Sequence, residues 1–352
     1  MTTVDVPDAV AIRVVAGLDG SAWVAWTAKG ELWLANLNPE AATLAPGQEM
    51  SGAEGVIDHP LERPAVAVSP DGLVAVAWIS EAGQVVTRIL GTETTAVVSG
   101  DARPETALVQ MIATSDGGSV LSWLEDSTLS VATGMPDAVI EHENVDDLTC
   151  DCCHPVPIEL ADGIGVGYRD LERGSEGVVR DIRFVRGMVT GQFGEPVEVA
   201  DDRWFLDACP LSGPTLGTID GEVMIAWMDA RQSIHPDQSS SSIWFDRSVD
   251  GGKSFGPDLR LTEHEAVHGT PSMAVDPGGV LHLVWEHQTA EESSIEYTRS
   301  TDGGDTFAET QAVVRSASNT APREVSLAVS GGHLLISWVD GDGGHIGVLS
   351  NP

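Results

Sequence analysis

The sequence predicts an all-β ring of seven four-stranded blades, a β-propeller, on three observations. A short apolar strand ending in an aromatic recurs seven times, a glycine turn precedes nearly every copy, and the two ends of the chain complement each other. The recurrent strands cover residues 23–26, 76–78, 121–123, 166–168, 225–227, 283–285 and 336–338, closed by Trp26, Trp78, Trp123, Tyr168, Trp227, Trp285 and Trp338. These aromatics stand 45 to 59 residues apart. Six of the seven have a glycine six positions earlier: Gly20, Gly72, Gly117, Gly221, Gly279 and Gly332. Pairs such as Asp19-Gly20, Asp71-Gly72 and Asp220-Gly221 supply the positive φ of a tight hairpin, so each repeat reads as strand, turn, strand.

The strand before each turn, here called A, is often opened by proline, as in Pro64-Ala65-Val66-Ala67-Val68, Pro214-Thr215-Leu216 and Pro271-Ser272-Met273-Ala274-Val275. The aromatic strand is B. Strand C follows at Ile243-Trp244-Phe245-Asp246-Arg247 and Ile295-Glu296-Tyr297-Thr298-Arg299, and a weaker strand D at Ala312-Val313-Val314. The last repeat ends after C at residues 346–350, whereas Thr2-Thr3-Val4-Asp5-Val6 precedes the first A with no blade of its own. This segment is expected to supply the missing outer strand of the seventh blade and so cover an open sheet edge. A six-bladed ring with one irregular repeat is the alternative. One propeller domain, residues 1–352, accounts for the whole sequence.

Composition narrows the partners. The 352 residues carry 54 acidic and 18 basic side chains, a formal charge of −36, with only Lys29 and Lys253 as lysines. Nucleic acid and anionic membrane surfaces are disfavoured, because both require a basic stripe. With 42% hydrophobic residues a sizeable core is available, so the acidity belongs on the outside, for solubility or a high-salt habitat. No apolar run is long enough to span a membrane as a helix, and MTTVDVPDAV has neither the basic nor the apolar region of a signal peptide. A monomer in an extracellular or periplasmic setting is expected.

Two segments after strand C carry a motif: Ser248-Val249-Asp250-Gly251-Gly252-Lys253-Ser254-Phe255 and Ser300-Thr301-Asp302-Gly303-Gly304-Asp305-Thr306-Phe307. Both resemble the Asp boxes (BNR repeats) of sialidase-like propellers. Physically, Asp and Ser oxygens accept turn N–H groups, glycine takes the left-handed position and Phe packs beneath. The motif positions Ser248, Asp250, Gly252, Phe255, Ser300, Asp302, Gly304 and Phe307 are therefore structural. The resemblance stops short of sialidase chemistry, which uses an early Arg-Ile-Pro segment, an arginine triad and a tyrosine nucleophile backed by Glu. Here the early segment is Ile12-Arg13-Val14, and the two tyrosines, Tyr168 and Tyr297, both lie within repeat strands.

A narrower pattern spans repeats four and five: Cys150-Asp151-Cys152-Cys153-His154-Pro155, Tyr168-Arg169-Asp170, Arg180-Asp181-Ile182 and Cys209-Pro210-Leu211-Ser212-Gly213-Pro214. It resembles a group of secreted sialidase-like propellers with Cys-x-Cys-Cys and Cys-Pro-x-Ser-Gly-Pro motifs, a group that implies no particular activity. Because strand A lines a propeller's channel, the cysteines before two adjacent A strands should meet at the channel mouth. Cys150, Cys152, Cys153 and Cys209, with His154 and His268, form a candidate site for one soft metal ion, copper before zinc. Disulfides in an oxidising compartment, or buried thiols including a redox dithiol, are the competing readings. The same face should carry Arg169, Asp170, Asp207, Asp229, Arg231, His264, Glu286 and His287, a candidate surface for a metal, a small molecule or a glycan. The functional expectation is metal binding or redox chemistry. The alternative is a glycan-binding or glycoside-hydrolase-like propeller, not a true sialidase, in which disulfides only brace the loops.

Overall fold

The computed structural model describes residues 1–99, 108–134, 142–200, 203–231, 240–263, 266–317 and 320–350. Seven antiparallel sheets form a ring. Their innermost strands are Ala11–Ala16, Ala65–Val68, Gln110–Ala113, Val156–Leu160, Thr215–Ile219, Ser272–Val275 and Arg323–Ser330, and each touches the next until the last returns to the first. The ring thus has seven blades and not six. Among the described residues the one helical element is a single 3-10 turn, Gly52–Glu54, and no helix is long and apolar enough to cross a membrane.

Thr2–Val6 is the outer strand of the seventh blade. It pairs antiparallel with Gly343–Ser350, Thr2 opposite Val348 and Val6 opposite Gly344, as the complementary ends predict. All six turn glycines have φ between 76° and 90°, a region from which a Cβ is disfavoured.

Alternation along the strands places the core between neighbouring sheets. Seven apolar clusters fill the ring, one at each interface between adjacent blades. Trp78, Trp123, Tyr168, Trp227, Trp285 and Trp338 are buried there, which explains why a large aromatic recurs at the end of strand B.

The face opposite the cysteines carries the A-to-B turns and the two Asp-bearing turns. Asp250 Oδ1 accepts the N–H groups of Lys253 and Ser254 and the Ser248 hydroxyl, and Oδ2 accepts the Ser254 hydroxyl. These bonds hold the Asp250 carboxyl well below the usual carboxylate range. Asp302 is held in the same way by Thr306 and Ser300, at about 2. Phe255 meets Phe184 of the preceding blade edge-on at 5.5 Å, and Phe307 meets Phe245 likewise at 5.0 Å. Each turn therefore fastens its blade to the one before it.

Candidate functional site at the channel mouth

Loops leading into strand A and loops between B and C share one face. The Cys150 N–H donates to the Arg169 carbonyl and Thr149 bridges to Asp170, which ties the cysteine loop to the end of strand B (Gly163–Arg169). The loop ahead of the fifth blade lies against it so closely that a Cβ at Gly213 would sit 2.1 Å from the His154 carbonyl oxygen. That approach explains the glycine of Cys-Pro-x-Ser-Gly-Pro.

The four sulfurs meet as expected, all within 4.8 Å of one another. Cys152 and Cys209 are joined in a disulfide with Cα atoms 6.4 Å apart, a separation ordinary for such a bond. In this state they are not thiolate ligands. Cys150 and Cys153 are free and buried, with sulfurs 2.8 Å apart, and Cys150 Sγ lies 3.6 Å from Cys152 Sγ. Arg180 Nη1 donates to Cys150 Sγ at 2.9 Å. The hydrogen bond from Cys153, reinforced by Arg180 and Arg169, lowers the Cys150 thiol against the effect of burial. Burial pushes the Cys153 thiol up.

Neither histidine of the expected ligand set joins the sulfurs. His154 lines the channel, where burial and the charges of Arg63, Arg13 and Arg169 hold its imidazole well below the usual range, hence neutral. His268 is buried against His287, ring centres 5.1 Å apart, and burial together with His287 takes it down to about 4. His264 lies outside the described residues.

The remaining candidates divide into committed and open groups. Arg169 is sealed: Nε donates to the Ser212 carbonyl at 2.9 Å, Nη1 to Arg180 at 2.8 Å and Nη2 to Met228 at 2.6 Å, with the Trp204 ring 5.0 Å away. Arg231 pairs with Asp229 and Asp258 and lies 4.1 Å above the Trp244 ring. Burial raises the Asp229 carboxyl to about 7. Asp170 pairs with Arg183 at 2.8 Å and is raised to about 6 by burial. Asp207 is exposed beside Cys209. Glu286 accepts the Val325 N–H at 2.9 Å, and burial and the Glu324 charge raise it to about 7.

Sequence reasoning missed two features. A hairpin, Glu172–Gly174 with Gly177–Val179, interrupts the B-to-C connection of the fourth blade, and residues 204–206 bond along it, covering Arg169. The glycines at 174 and 177 flanking two polar residues were its only local signal. The second feature is the channel itself, a cavity of about 470 Å³ lined at the cysteine-bearing end by Arg13, Arg63, Gln110 and His154. Arg13 Nη1 donates to Gln110 Oε1 at 2.5 Å, while its Nε, also shielded from solvent, meets no acceptor. Arg63 Nη1 donates to the Val325 carbonyl at 3.1 Å, and its Nε lies 3.4 Å from Glu324. Burial, and then the Arg63 charge, lower Arg13 to about 9. An arginine in an otherwise apolar strand A, Ile12-Arg13-Val14, was the available clue. Both tyrosines lie away from this cavity: Tyr168 donates to Asp146, and Tyr297 bonds His282.

No protein-family model matches this sequence, and no curated protein is similar to it. Solved structures share its fold. A PL25 polysaccharide lyase described as an ulvan lyase superposes with a TM-score of 0.63 at 12% identity, over 96% of this chain and 93% of the other. The BP39L lectin of Burkholderia pseudomallei gives a TM-score of 0.67 at 11% identity, over 97% and 95%. The intramolecular trans-sialidase of Ruminococcus gnavus gives 0.50 at 10% identity, over 96% and 94%. At these identities the likeness concerns architecture: the chain shares a β-propeller fold with a lyase, a lectin and a trans-sialidase.

Proposed function

We propose that the channel mouth binds an acidic saccharide, with a sugar carboxylate held between Arg13 and Arg63. The observation that carries this reading is the meeting of two guanidinium groups at one end of a 470 Å³ cavity, in a chain of charge −36. Two like charges in a partly desolvated place favour an anion between them, and guanidinium forks match carboxylate oxygens. Val66, Met111, Leu216 and Met273 give the cavity apolar wall on which sugar rings can lie. Fold relatives that include a polysaccharide lyase, a lectin and a trans-sialidase support the ligand class.

Binding is favoured over hydrolysis by the same cavity. Glycoside hydrolysis ordinarily needs two carboxyl groups flanking the scissile bond. Among the described residues Glu159 is the one carboxylate lining it, and it accepts the Ser115 N–H and hydroxyl instead. The disulfide of Cys152 with Cys209 supports an extracellular or periplasmic setting.

Calorimetric titration with a uronate-containing oligosaccharide and its carboxyl-reduced counterpart tests the reading. The acidic ligand should bind and the neutral one should bind much more weakly. Arg13→Gln should remove about 1.5–3 kcal/mol, roughly a ten- to hundredfold loss, as expected for a hydrogen bond to a charged group. Equal binding of the two ligands, or an unchanged affinity in Arg13→Gln, would overturn it.

A further inference from the structure

We propose that the sulfur cluster between the fourth and fifth blades, once reduced, binds a single thiophilic closed-shell ion, Cu(I) or Zn(II), through cysteine sulfurs alone. Among the described residues this is the one group of His, Cys or carboxylate ligand atoms gathered within 4.8 Å. A tetrahedral zinc thiolate, with Zn–S of about 2.3 Å, needs sulfurs about 3.8 Å apart. Cys150 to Cys152 is 3.6 Å and Cys152 to Cys153 is 4.0 Å. The Cys150–Cys153 separation of 2.8 Å must widen by about 1 Å on the same geometry, and Cys152 and Cys209 must part from bonding distance once reduced.

The surroundings fit such an ion. Four thiolates overcompensate either cation, and Arg180 Nη1, already 2.9 Å from Cys150 Sγ, offsets the excess negative charge while orienting a ligand. His154 faces the channel and His268 packs on His287, so imidazole contributes nothing and the donor set is soft. Arg169 stands close by and binds the Ser212 and Met228 carbonyls, which holds the two cysteine-bearing loops in place whether or not sulfur is bonded to sulfur.

Loading requires chemistry that balances. The Cys152–Cys209 bond accepts two electrons and two protons from an external dithiol, which departs as its own disulfide. Cys209 is the exposed member, so the reductant reaches it first. Metal entry then displaces the thiol protons. The cluster is separate from the saccharide cavity, so either reading can fail alone.

Native mass spectrometry of the full chain, reduced anaerobically with a phosphine and supplied with Zn(II) or separately with Cu(I), gives the direct test. One ion per chain is expected, and competition with chelators selective for each ion decides between them. Co(II) in place of zinc should show the thiolate charge-transfer and intense visible bands of a tetrahedral sulfur site. Arg180→Leu should weaken binding about 10- to 100-fold, and Cys150→Ser by more than about 100-fold. A reduced chain that holds no ion, that loses its near-UV circular dichroism, or that binds equally well as Cys150→Ser overturns the proposal. Should Cys150→Ser fail to fold, the wild-type Co(II) spectrum decides: bound cobalt without sulfur charge transfer overturns it.

Discussion

Arg13 and Arg63 at the channel, and Arg169 and Arg231 at the junction of the fourth and fifth blades, occupy the same face and have the same chemistry. Their surroundings differ. Arg169 points all its nitrogens at backbone carbonyls of three segments, and Arg231 is enclosed by two carboxylates and two indoles. Arg13, by contrast, spends one nitrogen on a glutamine and faces a cavity. An arginine whose donors are filled by its own chain fixes loops. One that lines a cavity with a donor its own chain leaves unmatched, next to another positive charge, is equipped to meet an anion.

The sharpest way to break this distinction is Arg169→Ala. Three carbonyls would lose a buried donor, and stability should fall by about 3–5 kcal/mol, seen as a large drop in melting temperature. Arg169→Lys should fail to rescue, since an ammonium cannot reach all three oxygens. A variant as stable as wild type would place Arg169 with the open group after all.

Glu286 gives an intermediate effect. Its folded value, about 7, lies above the ordinary carboxylate range. The folded state therefore binds its proton more tightly than the unfolded state does. The stability this contributes is complete below about pH 4.5 and is lost as pH rises through about 7. Glu286→Gln should flatten that decline by something on the order of 1–2 kcal/mol between pH 5 and pH 8, measured as urea midpoints across the range. An unchanged slope would show that Arg63, its cationic neighbour, holds it ionised throughout against burial and the Glu324 charge.

Smallest of all should be the effect of Arg13→Gln on stability, within about 0.5 kcal/mol, although the same change impairs saccharide binding. Thermal melts of the free protein would reveal it. A loss comparable to that of Arg169→Ala would make Arg13 a structural brace.

The ring and its closure were legible in the sequence because they rest on local rules: alternation, Asp-Gly turns with positive φ, and a large aromatic wherever two sheets meet. Even the seventh blade's outer strand could be read, since one end lacked what the other supplied. The meeting of Cys150, Cys152 and Cys153 with Cys209 was legible from topology alone. Which sulfurs bond was not, because pairing depends on how the loops before two blades cross, a matter fixed by Gly213 and Arg169. Nor was the division among the arginines. Arg169 and Arg231 looked available because each follows a strand-B aromatic, but the hairpin at 172–179 and the segment at 204–206 cover the first, and Trp244 covers the second. Arg13 and Arg63 needed the register of two innermost strands, which no spacing rule reveals.

The pairing of Thr2–Val6 with Gly343–Ser350 also has a mechanical consequence. Thr2 lies opposite Val348, so the two ends of the ring leave from the same end of a two-stranded ribbon. Tension between them loads the hydrogen bonds one at a time, as a zipper is opened, instead of shearing them together. Heat and denaturant must disrupt a closed cycle of seven interfaces, whereas a pull on the ends meets only the final rung of one ladder. A ring that resists uniform stress is weak along that single direction.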